Sequence, residues 1–153
     1  MSREDKTSLQ QWLDNAWIHK AETTAEEVSE LLDIARREIS DASVEGLSPD
    51  GRFAHAYGAV RCLCELALHA CGYHVPKGSR QHERTIGSLR FSLGDEWAEE
   101  TDYFDQCRRL RNQSMYERFG TVQQQDADEL LEAARKLQDA ALDWLHRNHA
   151  DLI

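Results

Sequence analysis

From Ser48 to Gly72 the chain spells out one long helix, and no other stretch limits the fold as tightly. Phe53, Tyr57, Val60, Cys64, Ala67 and Cys71 recur at steps of three and four, the period of a helix that buries one stripe. Ala56, Leu63 and Ala70 widen that stripe. Ser48 is placed to cap the start, Pro49 fits the first turn, and Asp50 suits the positive end of the helix dipole. Gly72 is placed to end the helix in a left-handed conformation. Ala56, Ala59, Cys64, Ala67 and Ala70 are small enough to let neighbouring helices approach closely, which predicts a central position in a bundle. Arg61, Glu65 and His69, four apart, are expected to form an exposed charged row.

The flanking segments repeat the helical period. Thr7 to about His19 predicts a short amphipathic helix with Leu9, Trp12, Leu13, Ala16 and Trp17 on its apolar face. Two tryptophans there can cap a core or dock on a partner. Thr24 with Glu27 reads as a capping box, opening a helix through Val28, Leu31, Leu32, Ala35 and Ile39 that fades between Asp41 and Gly46. Tyr73 to Gln81, with Pro76 and Gly78, reads as a loop. Arg80, His82 and Arg84 make the region around its end locally basic. A short helix from about His82 to Arg90, a turn at Ser92–Asp95 and a helix from Asp95 to about Glu117 follow. Phe119-Gly120-Thr121 interrupts the pattern. A last helix is expected from about Gln123 to Arg147, with Leu130, Ala134, Leu137, Ala141 and Trp144 as its seam. Only two prolines and eight glycines, with no alternating β-branched runs, predict an all-α fold without a sheet. Four long helices and short connections predict an up-and-down four-helix bundle. An extra N-terminal helix and a short connecting helix complete a single domain over residues 1–153.

With 18 basic and 28 acidic residues, the net charge is −10. That excludes broad, nonspecific coating of nucleic acid, whose affinity comes from phosphate neutralisation, but leaves room for a local basic groove. No long apolar run opens the chain, so neither a signal peptide nor a membrane span is expected. The four cysteines lie in helix-like segments and are expected as reduced thiols in a cytoplasmic protein.

Against this acidic background, Arg108, Arg109 and Arg111 fall within four residues. Phe104, Cys107, Arg111, Ser114 and Met115 share a helical stripe, so Arg111 points toward the apolar side. A guanidinium keeps its charge and needs an anionic or carbonyl partner at a buried edge. That partner is a carboxylate of this chain, such as Glu99 or Asp105, a second subunit, or a phosphate. Arg108 and Arg109 read more simply as a solvated face.

Other chemistries find less support. Cys62 and Cys64 are two apart, so on a helix they diverge by about 160° and cannot share a metal. His55, Cys62 and His69 align, but roughly 10 Å separates neighbours, too far for one ion. Cys71 and His74 are only two ligands. No metal site and no cofactor are expected. Cys64, Cys71 and Cys107 read as small core residues. No phosphate loop, Ser-His-Asp arrangement or catalytic carboxylate pair is legible.

What remains is Arg111-Asn112-Gln113-Ser114-Met115-Tyr116. Together with Ala56-Tyr57, Leu66-Ala67-Leu68 before a Gly, a linking helix and a last apolar seam, it resembles the HEPN domains of prokaryotic defence and toxin–antitoxin systems. The resemblance covers about 52–145. It implies a two-fold dimer with the motif lining the cleft between subunits, and a cognate nucleotidyltransferase or antitoxin protein as a partner. Active HEPN ribonucleases carry an Arg, a polar residue next to it, and a His separated from the Arg by four to six intervening residues. Arg111 and Asn112 match the first two positions, but Tyr116 stands at the third, and the next His is His146. The resemblance therefore makes Arg111, Asn112 and Tyr116 the candidate catalytic residues, and Arg108, Arg109 and Arg111 the candidate nucleic-acid contacts. A phenol of ordinary pKa about 10 accepts protons poorly at neutral pH, although it can hydrogen-bond phosphate or stack on a base. The expectation is binding of RNA, a nucleotide or a partner protein without cleavage. The alternatives are a metal-independent ribonuclease toxin and a purely structural partner-binding bundle. Five helical steps turn about 500°, so Arg111 and Tyr116 converge only if the helix ends before Tyr116 or if two subunits each supply one of them.

Overall fold

The computed structural model describes residues 3–116 and 122–153, with side chains over 9–112 and 122–153. Helices dominate. In chain order they are α1 (Arg3–Asp14), α2 (Ala25–Ala42), α3 (Pro49–Ala70), α4 (Gln81–Gly87), α5 (Leu89–Ser92), α6 (Ala98–Tyr116) and α7 (Gln124–Asn148). Short 3-10 turns cover Asp95–Trp97 and Ala150–Leu152. None of these helices is long and apolar enough to cross a membrane.

α3 is the hub. It packs most extensively on α2 and α7, and less on α4 and α6. Both ends follow from local chemistry. Ser48 Oγ accepts from the Gly51 N–H at 3.0 Å, and Gly72 takes φ +94°, a conformation costly for any residue with a Cβ. The expected stripe is the core: Val60, Cys64, Ala67, Leu130 and Leu137 are fully buried. α2 starts where Thr24 predicts, with Thr24 Oγ1 accepting from Glu27 N–H at 3.1 Å. Glu27 does not complete the reciprocal bond; its carboxylate accepts from Thr23 Oγ1 instead. The full capping box stands at α7, between Gln123 and Asp126. Arg52 ties α2 to α3, its Nε donating to the Ala42 carbonyl at 2.9 Å and its Nη2 to that of Val44 at 3.0 Å.

Four expectations need correction. The first helix ends at Asp14, not His19. The N–H groups of Trp17 and Ile18 both turn back to the Trp12 carbonyl, and Ala16 adopts φ +60°. Leu9, Trp12 and Leu13 then pack on a small second cluster built from Ile18, Leu68 and Val75. The sheet-free fold is not quite realised. Strands β1 (His19–Lys20) and β2 (Tyr73–His74) pair antiparallel, His19 opposite His74. The turn at Gly72 sends the chain back alongside residues 19–21, and Ala21 N–H donates to the Gly72 carbonyl at 2.9 Å. Only β2 lies within 52–145. The single helix expected over 82–90 is two, α4 and α5, broken at Ser88, whose hydroxyl bonds the Thr85 carbonyl at 2.7 Å. The row Arg61–Glu65–His69 is half-buried rather than exposed, because α4 and the segment before it pack on that face of α3. The expected break at Phe119-Gly120-Thr121 lies outside the described residues.

Candidate functional site

The apolar stripe of α6 forms as its spacing predicts. Phe104 and Cys107 are buried, and Arg111 continues the stripe at a half-buried position. Arg111 rests its guanidinium over the ring of Tyr57 in α3, with Cζ 5.1 Å from the ring centroid, a favourable cation–π arrangement. The Nε atom of Arg111 and the hydroxyl of Tyr57 are both buried without a hydrogen-bond partner among the described residues.

Among the described residues, no carboxylate forms an ion pair with Arg111. The internal pairing considered for it is made by its neighbours. Asp105 accepts from Arg108 Nε at 2.9 Å and from Arg109 Nη2 at 2.5 Å. Arg108 also reaches Glu83 at 3.5 Å. Glu99 is exposed and forms no ion pair among the described residues. Arg109 points outward as expected, whereas Arg108, expected on the same solvated face, is half-buried between two acidic groups.

The arginine stretch is joined by residues that sequence reasoning did not single out as a site. Arg61 lies one helical turn beyond Tyr57 on α3 and has no ion pair among the described residues. Burial pushes the Tyr57 phenol up to about 12, against the opposing pull of Arg111, then Arg61 and Arg108. The same three arginines act on His82 at the start of α4. Burial is the largest cause lowering the imidazole below its ordinary value, the arginines add to it, and Glu65 opposes them. His82 is therefore neutral near pH 7. The only sequence signals for this grouping are the Tyr57–Arg61 spacing of four and the basic run at Arg80–Arg84.

Asn112 is exposed, about 100° around the helix from Arg111. The side chain of Tyr116 lies outside the described residues, but α6 continues through its backbone. One of the two routes to convergence is thereby closed: the helix does not end before Tyr116. Within one chain the two residues stand about 140° apart around α6.

The four cysteines sit where burial disfavours the thiolate. Burial pushes Cys62 up to about 11 and Cys107 up to about 12, and raises Cys64 and Cys71 as well. Cys62 donates its thiol hydrogen to the Leu31 carbonyl at 3.1 Å, so it serves the α2–α3 contact. A thiol held protonated is a poor nucleophile. His55 meets Glu38 of α2 at 3.5 Å and His69 meets Glu65 at 3.8 Å, so each has its own partner and the two are not gathered around Cys62. Comparison with family profiles, curated proteins and solved structures finds no match to this chain.

Proposed function

We propose that this is a HEPN-like up-and-down bundle of toxin–antitoxin or defence type, which binds RNA through phosphate contacts at the Arg111 cleft of a homodimer and does not cut it. The observation that carries the reading is the state of Arg111. It is half-buried, lacks a described carboxylate partner, and shares its surroundings with Arg61 and Arg108 in a chain of net charge −10. A guanidinium in such a place offers a fixed fork to an incoming phosphate. Dimerisation supplies the remaining route by which Tyr116 of one subunit approaches Arg111 of the other.

The test is RNA binding by fluorescence anisotropy at two salt concentrations. Arg111→Ala is expected to weaken binding by about tenfold or more, the scale of a hydrogen bond to a charged group. Arg109→Ala, exposed and already paired, should change it little. Affinity should fall as salt rises. Light scattering should show a dimer, and a monomer at tens of micromolar would count against the cleft. Loss of fold without any measurable ligand on Arg111→Ala would favour the structural partner-binding bundle.

His82 favours a second reading, the metal-independent ribonuclease. An imidazole held below its ordinary value, chiefly by burial and further by the fields of Arg61, Arg111 and Arg108, is suited to accept a proton from a ribose hydroxyl. Cleavage in excess chelator that disappears in His82→Ala would establish that reading over the binding-only one.

A further inference from the structure

We propose that Glu38, Asp41 and His55 form a binding site for one divalent transition-metal ion of the zinc type, clamping the end of α2 to α3. One ligand atom from each of the three side chains lies within 4.8 Å of the others. His55 Nδ1 and Glu38 Oε1 are 3.5 Å apart, close to the ~3.4 Å edge of a tetrahedron with metal–ligand bonds of ~2.0–2.1 Å. Imidazole with two carboxylates is a donor set that zinc accepts. Three protein ligands leave one position for water.

The surroundings hold these groups in place. Glu38 and Asp41 are three apart on α2 and so share a face. The stretch just beyond Asp41 is fixed from three sides: Arg52 bonds the Ala42 carbonyl at 2.9 Å, Ser43 Oγ bonds the Ile39 carbonyl at 2.7 Å, and Arg135 bonds Ser43 Oγ at 2.7 Å. On α3, the Glu38 carboxylate lies in the space left by Gly58. A Cβ there would collide with Glu38 Oε2. Among the described residues, His55 is the only basic group paired with either carboxylate. Arg52 and Arg135 bond the neighbouring Ala42, Val44 and Ser43, and among the described residues neither forms an ion pair with Glu38 or Asp41, so these two carboxylates keep their charge for a bound cation.

The site is independent of the Arg111 cleft, so its test uses no RNA. Chelator-treated, tag-free full-length protein is titrated with cobalt(II) chloride and, in parallel, with zinc chloride by calorimetry. One ion per chain is expected, with d–d absorption for cobalt but no thiolate charge-transfer band, since the cysteines take no part. Zinc should raise Tm. His55→Ala and Glu38→Gln should each weaken binding by about tenfold or more, while His69→Ala leaves it unchanged. Asp41→Asn provides a third ligand variant should either of the others fail to fold. Absence of binding up to millimolar metal would overturn the site, as would a thiolate band or affinity unchanged in the folded ligand variants.

Discussion

Tyr57 shows how one residue serves both core and candidate site. The residue is 2% exposed and its ring carries the Arg111 guanidinium, yet its hydroxyl finds no partner among the described residues. A buried hydroxyl without a hydrogen bond costs about 1–3 kcal/mol. Tyr57→Phe keeps the ring and removes that cost. The variant is expected to gain about 1 kcal/mol, read as a higher urea midpoint at unchanged slope. A loss of stability would mean that the hydroxyl is satisfied in solution. The exchange also leaves the face that meets Arg111 intact, so RNA affinity should hold.

The ends of α3 decide where everything else goes. Ser48 starts it and Gly72 stops it, and the reversal at Gly72 lets β2 meet β1. No atom crowds a Cβ at Gly72 more closely than the Ala21 carbonyl oxygen at 3.9 Å, so the cost of a side chain there is conformational rather than steric. Gly72→Ala should lose about 1–2 kcal/mol. Hydrogen exchange should quicken first at Ala21, whose N–H bonds the Gly72 carbonyl. A variant as stable as the parent would show that the left-handed turn is not needed. At α4 and α5 the local pattern gave one helix and packing made two, since Ser88 is fully buried and turns its hydroxyl inward.

Across the whole molecule, burial raises several groups that are neutral when protonated. Cys62 moves from 9.0 to about 11, Cys107 from 9.0 to about 12, and Tyr57 from 10.0 to about 12. The unfolded chain releases these protons at lower pH than the folded one. Stability is therefore fully present below about pH 9 and declines as pH rises toward about 12, at up to ~1.4 kcal/mol per pH unit for each group in its window. Denaturant unfolding at about pH 8 and about pH 10 should show the decline. Cys62→Ala, which removes one of the buried thiols, should flatten its first part. A pH-independent stability over that range would mean that the thiols ionise freely in the folded state.

What the sequence determined by itself is what local chemistry decides. Helical spacing, the caps at Thr24 and Ser48, and the glycine at 72 set α2, α3 and the buried stripe, including Val60, Cys64, Leu130 and Leu137. They also turned Arg111 toward the apolar side of α6. Tertiary structure alone decided which groups meet across elements. It assigned Asp105 to Arg108 and Arg109, placed Arg61 and His82 near Arg111, and brought Glu38 and Asp41 of α2 to His55 of α3. It also closed the β1–β2 pair from segments more than fifty residues apart. Periodicity says which face of a helix turns inward, but the partner of that face depends on how helices are docked. Docking rests on the summed packing of many side chains, and no spacing within a single segment encodes it.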